Sequence, residues 1–217
     1  MFKKPYAAFV PLLAVMALAL IPAAAQAEMK STHWYSNGTL IKAGTKVAIT
    51  SQSASLVQTD VNPASPLFGT KWTCVEDNKG FVENPIGGGA GIDSITSITF
   101  SSCTINVAGC TLTVSVAVPI KTGPIYEEPP GSGKFFDPIG PLSGALNFAN
   151  NPPPTCPLPA TVGFSGTLIG SWVNGNPSTV VFNGTPGITL ANGDAVSLTG
   201  TITVTGPKGD ERITQGP

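Results

Sequence analysis

From about residue 31 onward, apolar and polar residues alternate with a period of two, in short runs broken by Gly, Pro and Asn. Alternation of this kind places one apolar face on a half-buried strand. Residues 33–36 and 39–41 flank Asn37-Gly38, a pair that tolerates positive φ and makes tight hairpin turns. Strands are predicted over 46–50, 54–58 and 70–76, the last placing Trp72 and Cys74 on one face. The clearest pair is 94–102 with 111–118, where Leu112, Val114, Val116 and Val118 form an unbroken apolar face turned to the core. Strands resume over 161–173, 178–182, 187–190 and 195–205, with Asn192-Gly193 as a second hairpin signal. No window after residue 30 shows apolar residues at helical spacing with caps and without Gly or Pro. The prediction is an all-β fold, a β-sandwich or β-barrel of roughly ten short antiparallel strands.

The N-terminus departs from this pattern. Lys3 and Lys4 precede an apolar run from Ala7 to Ala24 without one charge, and the run ends at Ala25-Gln26-Ala27. A positive start, an apolar middle and small residues before the scissile bond make residues 1–27 a secretory signal peptide, cleaved before Glu28. A retained anchor is the competing reading, since about 18 apolar residues can just cross a bilayer. The small-residue site and the abrupt polar switch favour cleavage. No second apolar run follows, so no membrane span is expected in the mature chain.

Composition changes the picture in two ways. Charged residues are only 11% of the chain, so the surface must be built from Ser, Thr, Asn and Gly. Loss of Lys3 and Lys4 takes the formal net charge from -1 to about −3, and a single Arg remains, which excludes the basic footprint of a nucleic-acid binder. The 4 cysteines, Cys74, Cys103, Cys110 and Cys156, are an even set in an exported chain and predict two disulfides. Three pairings can be drawn. Cys103 and Cys110 flank a short turn between two strand-like runs, which favours joining them and leaves Cys74 for Cys156. Zinc is disfavoured by the lack of a C-x-x-C pair and the presence of one His only.

Residues 122–141 carry five prolines among Gly and the adjacent Glu127 and Glu128, and read as a long loop. Three cysteines precede this loop and one follows it, so one bridge must cross it if all four pair within the chain. The domain expectation is therefore a single disulfide-tied β unit over 28–205, followed by a polar, mobile tail over 206–217.

The candidate chemistry is sparse. The sole histidine, His33, has no nucleophile motif near it, and a plain strand position is the better reading. Residues 88–96 fit one turn of the glycine-rich calcium nonapeptide, with Asp93 as its acidic ligand. One copy supplies too few oxygens, so a glycine loop leading into a strand is preferred. Glu76, Asp77, Glu83, Glu127, Glu128, Asp137 and Asp194 are the acids from which a glycosidase pair would be drawn, and solvated loop positions are the better reading for them. Trp34, Tyr35, Phe135 and Phe136 are candidate binding aromatics, whereas Trp72 and Trp172 fall within strands and read as core. Asn37 and Asn183 open glycan-acceptor triplets that are equally explained as Asn-Gly turns.

The run His33-Trp34-Tyr35 with Asn37-Gly38, then Trp72-Thr73-Cys74, Glu83-Asn84-Pro85 with Gly87-Gly88-Gly89-Ala90-Gly91, and Phe100 with Cys103 and Cys110, resembles a group of short exported proteins of soil actinobacteria. The resemblance implies a secreted bacterial β protein, extracellular or at the cell surface, or periplasmic in a Gram-negative source. It brings no active site to carry over, and the proline loop from Thr122 departs from the shorter members.

The leading functional expectation is a non-catalytic structural or binding module of the cell envelope or extracellular space, with no cofactor and no metal. Its partner would be an envelope or extracellular polymer or protein. A secreted hydrolase using carboxylates and a barrel holding a small apolar ligand are the alternatives.

Overall fold

Alternation over long stretches, joined by tight turns, gives thirteen strands and no helix among the described residues. The structure is a computed structural model that describes residues 31–65, 67–150, 155–207 and 212–217. The signal segment 1–27 lies outside them, as do 152–154 and 208–211. In chain order the strands are β1 His33–Ser36, β2 Thr39–Leu40, β3 Lys46–Asp60, β4 Lys71–Glu83, β5 Ile92–Ile105, β6 Cys110–Val116, β7 Ile120–Lys121, β8 Tyr126–Glu127, β9 Phe135–Asn150, β10 Thr161–Val173, β11 Ser178–Leu190, β12 Ala195–Thr205 and β13 Ile213–Gly216.

Several of these strands are longer than expected, because β-bulges carry them through residues that look like breaks. The predicted strands 46–50 and 54–58 are one strand, β3, with a register shift between Ser53 and Leu56. Residues 178–182 and 187–190 are likewise joined in β11 across shifts at Asn183/Pro186 and Pro186/Ile188. A bulge admits an extra residue and increases local twist, which is what curls the sheet.

The large sheet is an antiparallel meander that returns on itself. Strands β3, β4 and β5 pair in sequence, β9 to β12 pair in sequence, and β12 pairs back with β3. Between β5 and β9 runs a broken strand. Its first part, β6, pairs with β9 from Cys110↔Asn150 to Val116↔Gly144; its second, β7, pairs with β5 at Ser94↔Lys121 and Ile95↔Ile120. Thr122 then bridges Ile139 of β9. The ring of ladders is thus stitched shut at one end. Along β5 and β6 it is a seam, with no ladder pair joining the two strands among the described residues.

Inward and outward positions differ sharply in β3 and β4. Ile49, Leu56, Trp72 and Cys74 are buried, while Thr50, Gln52, Lys71, Asp77 and Lys79 are exposed. In these two strands those apolar residues turn inward and those polar ones outward. No helix among the described residues is long and apolar enough to cross a membrane.

At one end a small sheet in the order β13-β1-β2 lies over the opening. Trp34 is fully buried there; its indole N–H donates to the Ile92 carbonyl at 3.0 Å, and Asn84 Oδ1 accepts its backbone N–H at 2.8 Å. Ile213 of β13 is also fully buried, and the Ser178 hydroxyl donates to its carbonyl at 2.6 Å. The expected mobile tail is therefore corrected for Ile213–Gly216. Its polar residues hide the strand because their backbone pairs with β1, from His33↔Gly216 to Ser36↔Ile213.

The proline-rich segment is also more ordered than a loop. Tyr126–Glu127 pairs with the start of β9, and β9 itself begins at Phe135. Pro141 fits inside β9 because Gly140 and Pro141 together oppose only Thr167, at the irregularity between Gly166 and Leu168. A proline within a strand is tolerated at such a site, where the ladder does not use its missing N–H.

Two disulfides form, Cys74–Cys103 and Cys110–Cys156, and no described cysteine is free. The favoured Cys103–Cys110 pairing is corrected. Cys103 stands across from Cys74 in the β4–β5 ladder, beside the Thr73↔Thr104 pair and with a Cα–Cα distance of 4.1 Å. The ladder, rather than the turn that follows, selects its partner. The second bridge spans the proline-rich segment and ties the start of β6 to the β9–β10 connection.

Candidate functional site in the barrel interior

Eight strand positions around a ring leave an interior just wide enough to be filled by side chains or to hold one small molecule. Here a cavity of about 110 Å³ remains. Its wall is largely apolar and draws on the whole ring, with Ile49 and Leu56 of β3, Ile95 of β5, Val116 of β6, Leu142 of β9 and Leu198 of β12. Lining residues on either side of the seam, Ile98 and Phe100 of β5 and Val114 and Val116 of β6, are half-buried. The seam is where the interior comes nearest to solvent.

Polar side chains interrupt this wall at a few inward positions. Ser51 and Gln58 come from β3, Glu76 and Asn78 from β4, Asp93 from β5 and Asp137 from β9. The Ser51 hydroxyl donates to Asn78 Oδ1, and the Asn78 amide donates to Glu76 Oε1. The second oxygen, Glu76 Oε2, has no hydrogen-bond partner in the protein, nor has Gln58 Oε1. Ser53, opposite Glu76 in the β3–β4 ladder, is buried with its hydroxyl unpartnered. Burial pushes the Glu76 carboxyl up to about 7; the Asn78 hydrogen bond opposes this and the charge of Asp77 adds to it.

Asp93 and Asp137 form a second buried group toward the Trp34 end. Thr122 Oγ1 accepts from the Asp93 backbone N–H at 2.9 Å and returns its own proton to the Asp93 carbonyl at 3.0 Å. Burial holds both carboxyls above the usual range, and the charge of Asp93 raises Asp137 further. Two carboxyls so placed favour a shared proton over two charges. Among the described residues no Lys, Arg or His lines the cavity.

A different polar cluster gathers Asp60, Ser65 and Asp194. The Ser65 hydroxyl lies between Asp60 Oδ2, at 2.8 Å, and Asp194 Oδ2. Asn62 and Asn192 donate to Asp194 at 2.7 and 2.6 Å. The Ser65 hydrogen bond, with help from these amides, holds the Asp194 carboxyl below its ordinary value. No group of three or more metal-ligating side chains occurs among the described residues.

The structure redistributes the residues that sequence singled out. Of the acids, Glu76 and Asp137 line the interior, with Asp93, the calcium candidate, beside Asp137. Their burial corrects the expectation of solvated loop positions: both occupy inward positions of strands. Asp194, buried in the Ser65 cluster, departs from it too. Asp77 is exposed, as are Glu128 and its neighbouring prolines. Of the aromatics, Trp34 and Phe135 are core rather than exposed binding surface, because the end sheet covers the first and β9 extends to include the second. Tyr35 is half-buried, its hydroxyl donating to the Pro217 carbonyl at 2.6 Å. Phe136 stacks on Tyr126 at 5.3 Å between centroids. His33 is half-buried on β1.

Ser53, Gln58 and Asn78 were not singled out from sequence. The signal was present in the phase of β3, where Ser51 and Ser53 fall in step with Ile49, and Gln58 falls in step with Leu56. Polar residues in an inward phase are the mark of an interior that does more than pack. No protein-family profile, curated protein or solved structure matches this chain.

Proposed function

We propose that this protein is a non-catalytic binding module exported from the cytoplasm, and that its barrel interior takes up one small molecule with an apolar body. The observation that carries this reading is the cavity of about 110 Å³ inside a ring of strands with the small sheet over one end. A protein serving only as a structural element gains nothing from a void of this size, since close packing of the same side chains is worth about 20–25 cal/mol per Å³. Two disulfides agree with an oxidising compartment outside the cytoplasm, where such bonds persist. Export through residues 1–27 makes Glu28 the N-terminus of the working protein, which N-terminal sequencing of material from the culture medium or envelope checks.

Xenon is the test of the interior, because it enters apolar cavities without needing a polar contact. Xenon-saturated buffer should move the methyl resonances of Ile95, Leu142 and Leu198 while leaving exposed methyls such as Ile86 in place. Unmoved interior methyls would return the protein to the class of filled structural modules.

A further inference from the structure

Resting on that reading, we propose that the ligand is a small primary amine, whose ammonium group donates to Glu76 and whose apolar part fills the cavity. The oxygens that the interior buries without a partner decide the chemistry. Glu76 Oε2, Gln58 Oε1, Asp93 Oδ1 and Asp137 Oδ1 all belong to side chains lining the cavity, all are buried, and none has a partner in the protein. Each is a hydrogen-bond acceptor when its carboxyl is ionised or, for Gln58, as the amide oxygen stands. The Ser53 hydroxyl, across the ladder from Glu76, is likewise buried without a partner. Buried acceptors cost stability unless a donor reaches them.

Charge narrows the donor further. Three carboxyls face one interior, and no described basic side chain faces it with them. Asp93 and Asp137 answer one another by sharing a proton, whereas Glu76 has only the neutral Asn78 amide on one of its two oxygens. A cation on the ligand supplies what the wall lacks. A charge-assisted N–H···O bond to carboxylate is about twice as strong as a neutral one. An anionic ligand would meet the Glu76 carboxylate with like charge.

Size sets the body. An engineered apolar cavity of about 150 Å³ takes one benzene ring, so a void of about 110 Å³ suits an amine of roughly five heavy atoms. Such a molecule reaches the interior at the β5–β6 seam, where Ile98, Phe100, Val114 and Val116 are half-buried.

The experiment uses the oxidised full-length secreted protein and three probes of similar bulk: isobutylamine, isobutanol and xenon. Titration of each is followed by the methyl resonances of cavity residues at about pH 8, and repeated on Glu76→Gln. Isobutylamine should bind about tenfold or more tightly than isobutanol, and this preference should vanish in Glu76→Gln. Equal binding of amine and alcohol, or an amine preference that survives Glu76→Gln, overturns the assignment of the donor while xenon binding leaves the cavity reading intact. If none of the three probes binds, both readings fall. The comparison of amine with alcohol on the unaltered protein still decides between a cationic and a neutral ligand if Glu76→Gln folds poorly, and loss of the amine preference as pH falls below about 7 then checks the part of a carboxylate.

Discussion

Trp34 of β1 meets Trp172 of β10 edge to face, with ring centroids 4.8 Å apart and planes inclined at 74°. This contact seats the small sheet on the barrel end, since one indole belongs to the cover and the other to the wall. Three polar links reinforce it: Asn84 Nδ2 donates to the carbonyls of Trp34 and Ile41 at 3.0 and 2.8 Å, and Trp172 Nε1 donates to Asn174 at 2.9 Å. The cover has little apolar surface apart from Trp34, Ile41 and Ile213. Trp34→Ala should therefore cost about 3–5 kcal/mol of unfolding free energy, the usual range for a buried Trp. Gly91→Ala approaches the same contact from the other side, because an added Cβ would lie 2.4 Å from Trp34 Cδ1. Chemical denaturation of both variants tests this; a loss under 1 kcal/mol in Trp34→Ala would show that the end sheet is not anchored through this residue.

Interior carboxyls make the fold more stable in mild acid than in mild base. In the unfolded chain Glu76 ionises near its ordinary value of 4.5, and in the folded protein near 7. Between these values the unfolded chain holds fewer protons than the folded one, so stability falls as pH rises. The contribution is complete below about pH 4.5, is lost on passing through 7, and stays lost above. A rise of this size corresponds to roughly 3 kcal/mol at 1.4 kcal/mol per pH unit. The raised Asp93–Asp137 pair acts in the same direction. Asp194, whose carboxyl is held low, acts in the opposite sense, but only as pH falls through its own folded value in the more acidic range. Denaturation midpoints should be higher at pH 5 than at pH 8, and Glu76→Gln should flatten part of that difference. A stability that climbs from pH 5 to pH 8 contradicts the burial of these groups.

How much of this was legible in the residues differs from feature to feature. The all-β class followed from the alternation in segments such as 111–118, where Val114 and Val116 line the cavity and Leu112 is buried, but Val118 is corrected: β6 ends at Val116 and Val118 is exposed. The hairpin at Asn37-Gly38 was equally local, and both residues adopt positive φ, 49° and 78°. The strand at Ile213–Gly216 was not visible, because four residues carry no periodicity and their partner lies at the opposite end of the chain. Prolines at 138 and 141 read as breaks, yet Pro138 pairs in register with Ile169, and the bulge that accommodates Pro141 is a property of the β9–β10 pair rather than of either strand. The Asp93–Asp137 group was hidden for a related reason. Each acid alone looks like a solvated loop residue, and only closure of the ring brings β5 and β9 together through Thr122.

Each disulfide fastens a place where the ring of ladders needs help. Cys74–Cys103 crosses β4 and β5 next to a register shift, closing a separation of 29 residues. Cys110–Cys156 closes 46 residues and holds β6 to the segment that follows β9. Chain entropy gives bridges of this span a worth of about 3–4 kcal/mol each. Replacing Cys110 and Cys156 together by Ala should lower the unfolding free energy by about that amount. It should also free the β6 end of the seam, whereas the Cys74/Cys103 double variant should leave β6 in place. Thiol titration of the unaltered protein in denaturant should find no free thiol before reduction and four after it. Two free thiols in the native protein would contradict one bridge and four would contradict both.

Along the seam β5 and β6 run side by side without ladder hydrogen bonds among the described residues. Below it β7 is paired to β5 at Ser94 and Ile95, and above it the Cys110–Cys156 bridge fixes the start of β6. Between these points the β5 edge carries exposed Thr96, Ser97, Thr99 and Ser101, whose polar side chains suit contact with water. Amides without a ladder partner exchange their protons through small local openings, whereas those of β3, paired on both sides, exchange only through larger ones. Amides of β5 that point toward β6 should therefore exchange faster, by an order of magnitude or more, than those of β5 that point toward β4. An amine or other ligand seated in the cavity should slow them, since it touches the apolar residues on both banks of the seam, Phe100 and Val116 among them. Uniform protection across both edges of β5 would mean that the ring closes fully in solution, and the interior would then have no route of entry at this point.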